Sequence, residues 1–151
     1  MSASVRRAIS SDAEIIARFN QAMAEETENK VLPWETILTG VKTMLADDNL
    51  GFYLVACTSS DEVQGCLGIT FEWSDWRNGL FWWIQSVYVN PTYRGTGIFT
   101  AMYETVKNEA QTDPTSCGIR LYVEKENERA NRTYRRLGMI ETDYRLMEEI
   151  F

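Results

Sequence analysis

Hydrophobic positions recur along this chain in two rhythms, every second residue and every third or fourth, and the switches between them mark its elements. Val5 to Ile9 is a short β-type run, and Ser11 with Glu14 reads as a capping-box start for a helix carrying Ile15, Phe19, Ala22 and Met23 at helical spacing. That helix fades at Thr27 to Lys30. Pro33 sits where a first-turn proline belongs, and Trp34, Ile37, Leu38, Val41, Met44 and Leu45 continue a second helix. Phe52 to Thr58 and Val63 to Trp73 are β-rich runs separated by Ser59, Ser60 and Asp61, a hairpin signal. A turn from Ser74 to Gly79 leads into a fourth strand, Leu80 to Val89.

Beyond a glycine-rich turn, Phe99, Met102, Tyr103, Val106 and Ala110 mark one face of a third helix. Gly118 to Val123 predicts a fifth strand, Asn127 to Leu137 a fourth helix closed by Gly138, and Tyr144 to Phe151 a final strand. The order β-α-α-β-β-β-α-β-α-β predicts an α+β fold with a mixed sheet and a strand-helix-strand crossover after the fourth strand. No linker, low-complexity run or repeat divides the sequence, so residues 1–151 are expected to form a single domain.

Composition narrows the chemistry. The chain has no histidine, which removes Ser-His and Cys-His nucleophile pairs and most zinc sites. Cys57, Cys66 and Cys117 form no C-x-x-C, and an odd count argues against a disulfide framework. No metal is expected. A net charge of -7 disfavours nucleic acid and anionic membranes as partners and mildly favours a cationic substrate. The opening MSASVRRAISSDAEIIARF lacks an uninterrupted apolar stretch, and the longest aliphatic-aromatic run, Leu80 to Ile84, is too short to span a bilayer. A cytoplasmic protein without a membrane partner is expected.

The sharpest motif is Val87 to Ile98, VYVNPTYRGTGI, a β-branched strand running into an Arg-Gly-Thr-Gly turn that opens the third helix. Glycines there allow close backbone approach, and the first N–H groups of a helix have no intrahelical partner, so the joint suits an anion such as phosphate. A tight turn with a surface arginine is the plainer reading of the same residues. Further on, Asn127 to Met139, NERANRTYRRLGM, is a short helix closed by Leu-Gly-Met. Together, V-Y-V-x-P-x-Y-R-G-x-G-I and N-x-x-A-x-x-x-Y-x-x-L-G-M resemble the two signature segments of the GCN5-related N-acetyltransferase (GNAT) superfamily, densely over residues 85 to 139.

The resemblance implies a GNAT-like acyl-CoA N-acyltransferase fold, with a central mixed, mostly antiparallel sheet flanked by about four helices. It implies acetyl-CoA as co-substrate and transfer of the acetyl group to a primary amine, of a small molecule or a protein, by direct attack in a ternary complex. Backbone amides of Gly95, Thr96, Gly97, Ile98 and Phe99 would cradle the pyrophosphate, with Arg94 adding charge. The pantetheine arm would lie along Val87 to Val89, with the Val89 N–H as oxyanion donor. Asn127 matches the asparagine that contacts pantetheine, and Tyr134 the tyrosine that protonates the departing thiolate. Read without the resemblance, Asn127 is a good N-cap and Tyr134 lies on what reads as the helix's buried face.

Two positions depart from the family pattern. Phe99 stands where relatives carry a small residue, and it also begins the third helix's apolar stripe. Gln85 stands where many relatives place a glutamate base, and an amide cannot accept the amine proton. Carboxylates that would replace it or bind the substrate include Glu72, Asp75, Glu124 and the Glu25, Glu26, Glu28 group; each also reads as a solvated surface acid. Trp73, Trp76, Trp82 and Trp83 crowd one hairpin, either as packing or as an aromatic wall for a cationic amine. Two rival functions stay open: a catalytically silent acyl-CoA-binding or regulatory domain, and a scaffold that forms a homodimer through its aromatic-rich sheet.

Overall fold

Residues 3–151 are described by a computed structural model. Among them the chain forms β1 (Ser4–Arg7), α1 (Ala13–Glu28), α2 (Trp34–Ala46), β2 (Gly51–Cys57), β3 (Val63–Ser74), β4 (Gly79–Val89), α3 (Ile98–Thr112), β5 (Ser116–Leu121) and α4 (Glu128–Arg136). They gather in two compact units, one ending at Leu121 and the other comprising Tyr122–Phe151.

In the first unit the strands form one sheet in sequence order, β1 to β5. The pairs β1–β2, β2–β3 and β3–β4 are antiparallel, whereas β4 and β5 are parallel. A parallel neighbour cannot be reached by a tight turn, and α3 supplies the crossover. Ile16, Ala17 and Phe19 of α1 and Val41 of α2 cluster with Tyr53, Val55, Cys57, Cys66 and Tyr88 of the sheet. Phe52, Phe71 and Trp82 form a second aromatic group with ring centroids 5.5 to 6.1 Å apart. From α3 come the buried Ile98, Met102, Tyr103, Val106 and Ala110.

Several expectations shift. β1 ends at Arg7, and the expected capping box at Ser11 and Glu14 gives way to Asp12. Its carboxylate accepts the Ile9 N–H at 2.8 Å and two hydrogen bonds from the Arg6 guanidinium at 2.8 and 3.1 Å. The acid that reaches back three residues to a backbone N–H is thus Asp12 to Ile9, two positions before the expected Glu14 to Ser11, and the arginine strengthens that charged acceptor's place. The buried phase of α1 runs through Ile16 rather than Ile15. Pro33 is the N-cap of α2, one position earlier than expected. In the aromatic hairpin Trp82 is buried against Phe52 and Phe71, as packing, while Trp73 and Trp76 are exposed.

In the second unit α4 is capped by Asn127, whose side chain accepts the Ala130 N–H at 3.2 Å, and is closed by Gly138 at φ 104°. The final strand expected over Tyr144 to Phe151 is not formed. Tyr144, Leu146 and Ile150 would share one face of an extended segment, but Glu148 interrupts that face and none of the five strands pairs with it.

Asp12 ties the end of β1 to the start of α1. Burial pushes its carboxyl upward, but the Arg6 and Ile9 hydrogen bonds outweigh burial and hold it below the ordinary carboxylate value. A depressed native pKa contributes stability above the unfolded value, about 3.9, that is lost as pH falls through the native one. Replacing Asp12 with Ala is therefore expected to destabilise the protein by about 1–3 kcal/mol at pH 7. In urea titrations the gap between wild type and variant should narrow below about pH 4.

Candidate functional site

The site begins with a mismatch in strand length. β5 pairs with β4 only from Leu80 to Ile84, the last partners being Ile84 and Leu121, while β4 continues to Val89. From Gln85 onward one side of β4 has no strand beside it. A bulge lies at the branch point: Gly68 pairs with Ser86 and Ile69 with Ile84, so Gln85 is the extra residue. The Gln85 side chain is exposed and donates to Thr70 Oγ1 at 2.9 Å.

Which backbone groups face the open side follows from the ladder. In an antiparallel pair every second residue turns its N–H and C=O toward the partner strand. The Asn90 N–H donates to the Gln64 carbonyl of β3 at 2.8 Å. Val89, one residue earlier, therefore turns its N–H and C=O to the open side, as does Val87 at the same parity. Consistent with this, the Val89 carbonyl accepts a 2.8 Å hydrogen bond from Arg94 Nε across that side. The Val87 N–H and C=O and the Val89 N–H thus form a short row of donors and an acceptor suited to an extended, amide-bearing ligand.

The row leads into the turn. Asn90 accepts the Thr92 N–H at 3.1 Å, a single 3₁₀ turn spans Pro91–Tyr93, and Thr96 Oγ1 donates to the Tyr93 carbonyl. Gly95 and Gly97 then take φ values of 79° and 88°, in the left-handed region where side chains are costly. Gly97 is the N-cap of α3, so no side chain caps this helix, and no acidic residue lies in its first turn. A Cβ built on either glycine would meet no protein atom within 4 Å, so the space they leave opens outward. The joint combines backbone donors, the positive end of a 15-residue helix and room for an anion. Phe99 is half-buried against Tyr103, and the buried stripe starts at Ile98 instead.

Arg94 and Glu26, expected respectively at the phosphate and at the substrate, meet. Arg94 donates to Glu26 Oε2 at 2.8 Å, and the Tyr88 hydroxyl donates to Glu26 Oε1 at 3.1 Å. Burial first, and then the hydrogen bond to Glu26, push the Tyr88 phenol above its ordinary pKa. Nothing in the sequence signalled this pairing, because Glu26 closes α1 while Tyr88 and Arg94 flank a turn 62 and 68 residues later.

The other carboxylates are engaged elsewhere. Glu72 holds Arg120 at 2.7 Å, across from β3 to β5. Glu124, expected at the end of the fifth strand, lies beyond it, where its carboxylate accepts the Glu126 N–H at 2.9 Å. Asn127 and Tyr134 lie in the second unit, Asn127 as the cap of α4 and Tyr134 half-buried on that helix. A cleft of about 500 Å³ lined by Arg7, Phe52, Phe71 and Trp82 sits by the opposite end of β4 and shares no residue with the turn. Among the described residues no cluster of His, Cys, Asp or Glu is placed to hold a metal, and no helix is long and apolar enough to cross a membrane.

Comparison with known proteins agrees with this geometry. The model of the Acetyltransferase (GNAT) family matches residues 14–139. The crystal structure of a possible acetyltransferase from Clostridium difficile 630 is 44% identical, with 100% of this chain and 99% of that chain covered and a TM-score of 0.93. Two more distant structures share the fold. One is an integron cassette protein from the mobile metagenome of Cole Harbour Salt Marsh, at 23% identity, 97% and 89% coverage and a TM-score of 0.83. The other is a ribosomal-protein-alanine N-acetyltransferase from Brucella melitensis biovar Abortus 2308, at 15% identity, 99% and 100% coverage and a TM-score of 0.76. No curated protein matches the chain. An open strand edge feeding an uncapped helix through an Arg-Gly-Thr-Gly turn, and a family match over most of its length, place this chain in the GNAT acetyltransferase family.

Proposed function

We propose that this protein transfers the acetyl group of acetyl-CoA to a primary amine, by direct attack of the amine in a ternary complex. The observation that carries the reading is the continuity of the open β4 edge with the N-terminus of α3. An amide-bearing arm needs a row of strand-like donors and acceptors, and a diphosphate needs a helix start; here one follows the other along the chain. Acetyl-CoA supplies an activated acyl carbon and a good leaving group.

Each residue then has a task. Val87 and Val89 orient the arm, and the Val89 N–H, turned to the open side, stabilises charge developing on the carbonyl oxygen. The amides of Gly95 to Phe99 and the Arg94 guanidinium hold the phosphates. Asn127 is assigned to the pantetheine arm and Tyr134 to the proton taken by the thiolate, both on the strength of the motif they share with the family. Gln85 is no base: its amide accepts no proton, and it is tied to Thr70. With Glu72 committed to Arg120, the amine gives its proton to solvent at the open edge.

Three outcomes follow. Acetyl-CoA at a hundredfold excess over its Kd should stabilise the protein by about 2.7 kcal/mol, read as a rise in thermal midpoint. Gly97→Glu should abolish that rise, because it sets a carboxylate where the diphosphate must sit; an unchanged wild-type midpoint would contradict the assignment.

Tyr134→Phe is expected to lower kcat by roughly 10- to 1,000-fold with little change in acetyl-CoA affinity, since a general acid acts in the transition state. Steady-state kinetics beside a binding titration separate the two, and normal turnover would leave Tyr134 a packing residue.

With an alkylamine acceptor, kcat/KM should climb with pH toward the amine's own pKa, about 9–10.4. Gln85→Glu should restore a base and bring the plateau to lower pH. A wild-type profile already flat from about pH 7 would show that a carboxylate base is at work.

A further inference from the structure

Glu26 and Arg94 belong to the two halves of the reaction. Arg94 sits in the phosphate turn; Glu26 lies in the last turn of α1. In the structure each is the other's partner, at 2.8 Å. Both oxygens of Glu26 are occupied, Oε2 by Arg94 and Oε1 by the Tyr88 hydroxyl. Arg94 is held by three groups at once: its Nε by the Val89 carbonyl, its outer nitrogen by Glu26, and its guanidinium carbon 5.2 Å from the centre of the Tyr88 ring.

We propose that this ion pair is a latch coupling the two substrates: the phosphates of the acyl donor draw Arg94 from Glu26, and the carboxylate so released receives the acceptor's ammonium group. The proposal rests on the acetyltransferase reading and adds to it a recognition group for a cationic acceptor.

Three features carry it. The two side chains are 44% and 42% exposed, and ion pairs this open are weak and readily exchanged. A diphosphate beside the N-terminus of α3 brings more negative charge than one carboxylate, and a guanidinium pairs with phosphate as well as with carboxylate. With Nε on the Val89 carbonyl, the planar guanidinium swings as one piece about that hydrogen bond, so its outer nitrogens change partners without Arg94 leaving the open edge of β4. Once Arg94 has turned, Glu26 keeps only the hydroxyl of Tyr88, the residue that precedes Val89 on β4. No bond is made or broken covalently; one cation replaces another on the same carboxylate. Linkage then requires that the donor tighten the amine by the factor that the amine tightens the donor.

The test is a set of calorimetric titrations with coenzyme A on wild type, Glu26→Gln, Arg94→Ala and the double variant. Glu26→Gln, which frees Arg94 without removing bulk, is expected to tighten coenzyme A two- to fivefold. Arg94→Ala should weaken it, and Glu26→Gln should have no effect in the Arg94→Ala background. Cadaverine titrated into wild type should bind more tightly with saturating coenzyme A than without it, and this gain should vanish in Glu26→Gln. Glu26→Gln that leaves coenzyme A affinity unchanged, or weakens it, overturns the latch and makes Glu26 a brace for the turn. Cadaverine that binds equally with and without coenzyme A, or not at all, overturns Glu26 as the ammonium seat. Failure of wild type to bind coenzyme A overturns the acetyltransferase reading, and the latch with it.

Discussion

Everything at the site depends on backbone N–H and C=O groups that the sheet leaves unpaired. β4 and β5 part after Ile84, and Val87 and Val89 keep their polar groups turned to the open side. Strand edges are ordinarily covered, shortened or charged, because unpaired backbone invites another strand. Here the exposed stretch is only a few residues long, and Arg94 already takes the Val89 carbonyl. In the proposed function, an extended arm with alternating donors and acceptors satisfies the groups on this edge that Arg94 leaves unpaired. Gln85, bulged against β3, is the first residue of β4 beyond its pairing with β5.

The same economy governs the turn. A helix needs its first donors satisfied, and evolution usually places Ser, Thr, Asp or Asn before it. At α3 that position is Gly97 in the left-handed region, with no acidic residue in the first turn, so nothing in the local sequence competes with an anion. α4, by contrast, has the Asn127 side chain on its first turn. The two helix starts show the difference between an end capped by a side chain and one without such a cap. The Glu26–Arg94 pair is the counterpart in side chains: an exposed ion pair that the proposed latch treats as exchangeable.

Much of this was legible in the sequence, and what was not has identifiable causes. The strand-turn-helix joint was readable because Gly95 and Gly97 need positive φ and the flanking periods are long and regular. Helix and strand order up to α4 followed for the same reason. The expected Tyr144–Phe151 strand is not formed, since a β-type pattern does not by itself supply a strand to pair with. The Gln85 bulge was invisible because one extra residue leaves composition unchanged. Asp12 taking over the cap, Glu72 tied to Arg120 and Glu26 meeting Arg94 all depend on contacts between distant segments, which spacing along a chain does not encode. Four tryptophans in one hairpin suggested a wall; Trp82 and Trp73 share a face of that hairpin, but only Trp82 reaches the packing of Phe52 and Phe71, while Trp73, nearer the hairpin's tip, stays in water.

Amide hydrogen exchange followed by NMR, with and without coenzyme A, tests the central claim most directly. If the ligand lies along the open edge and its phosphates sit on α3, exchange should slow at Val87 and Val89 and through Gly95 to Phe99. The Asn90 amide, already bonded to Gln64, should change far less. Protection absent from Val87 and Val89, or appearing instead around Phe52 and Trp82 at the opposite end of β4, would contradict the account.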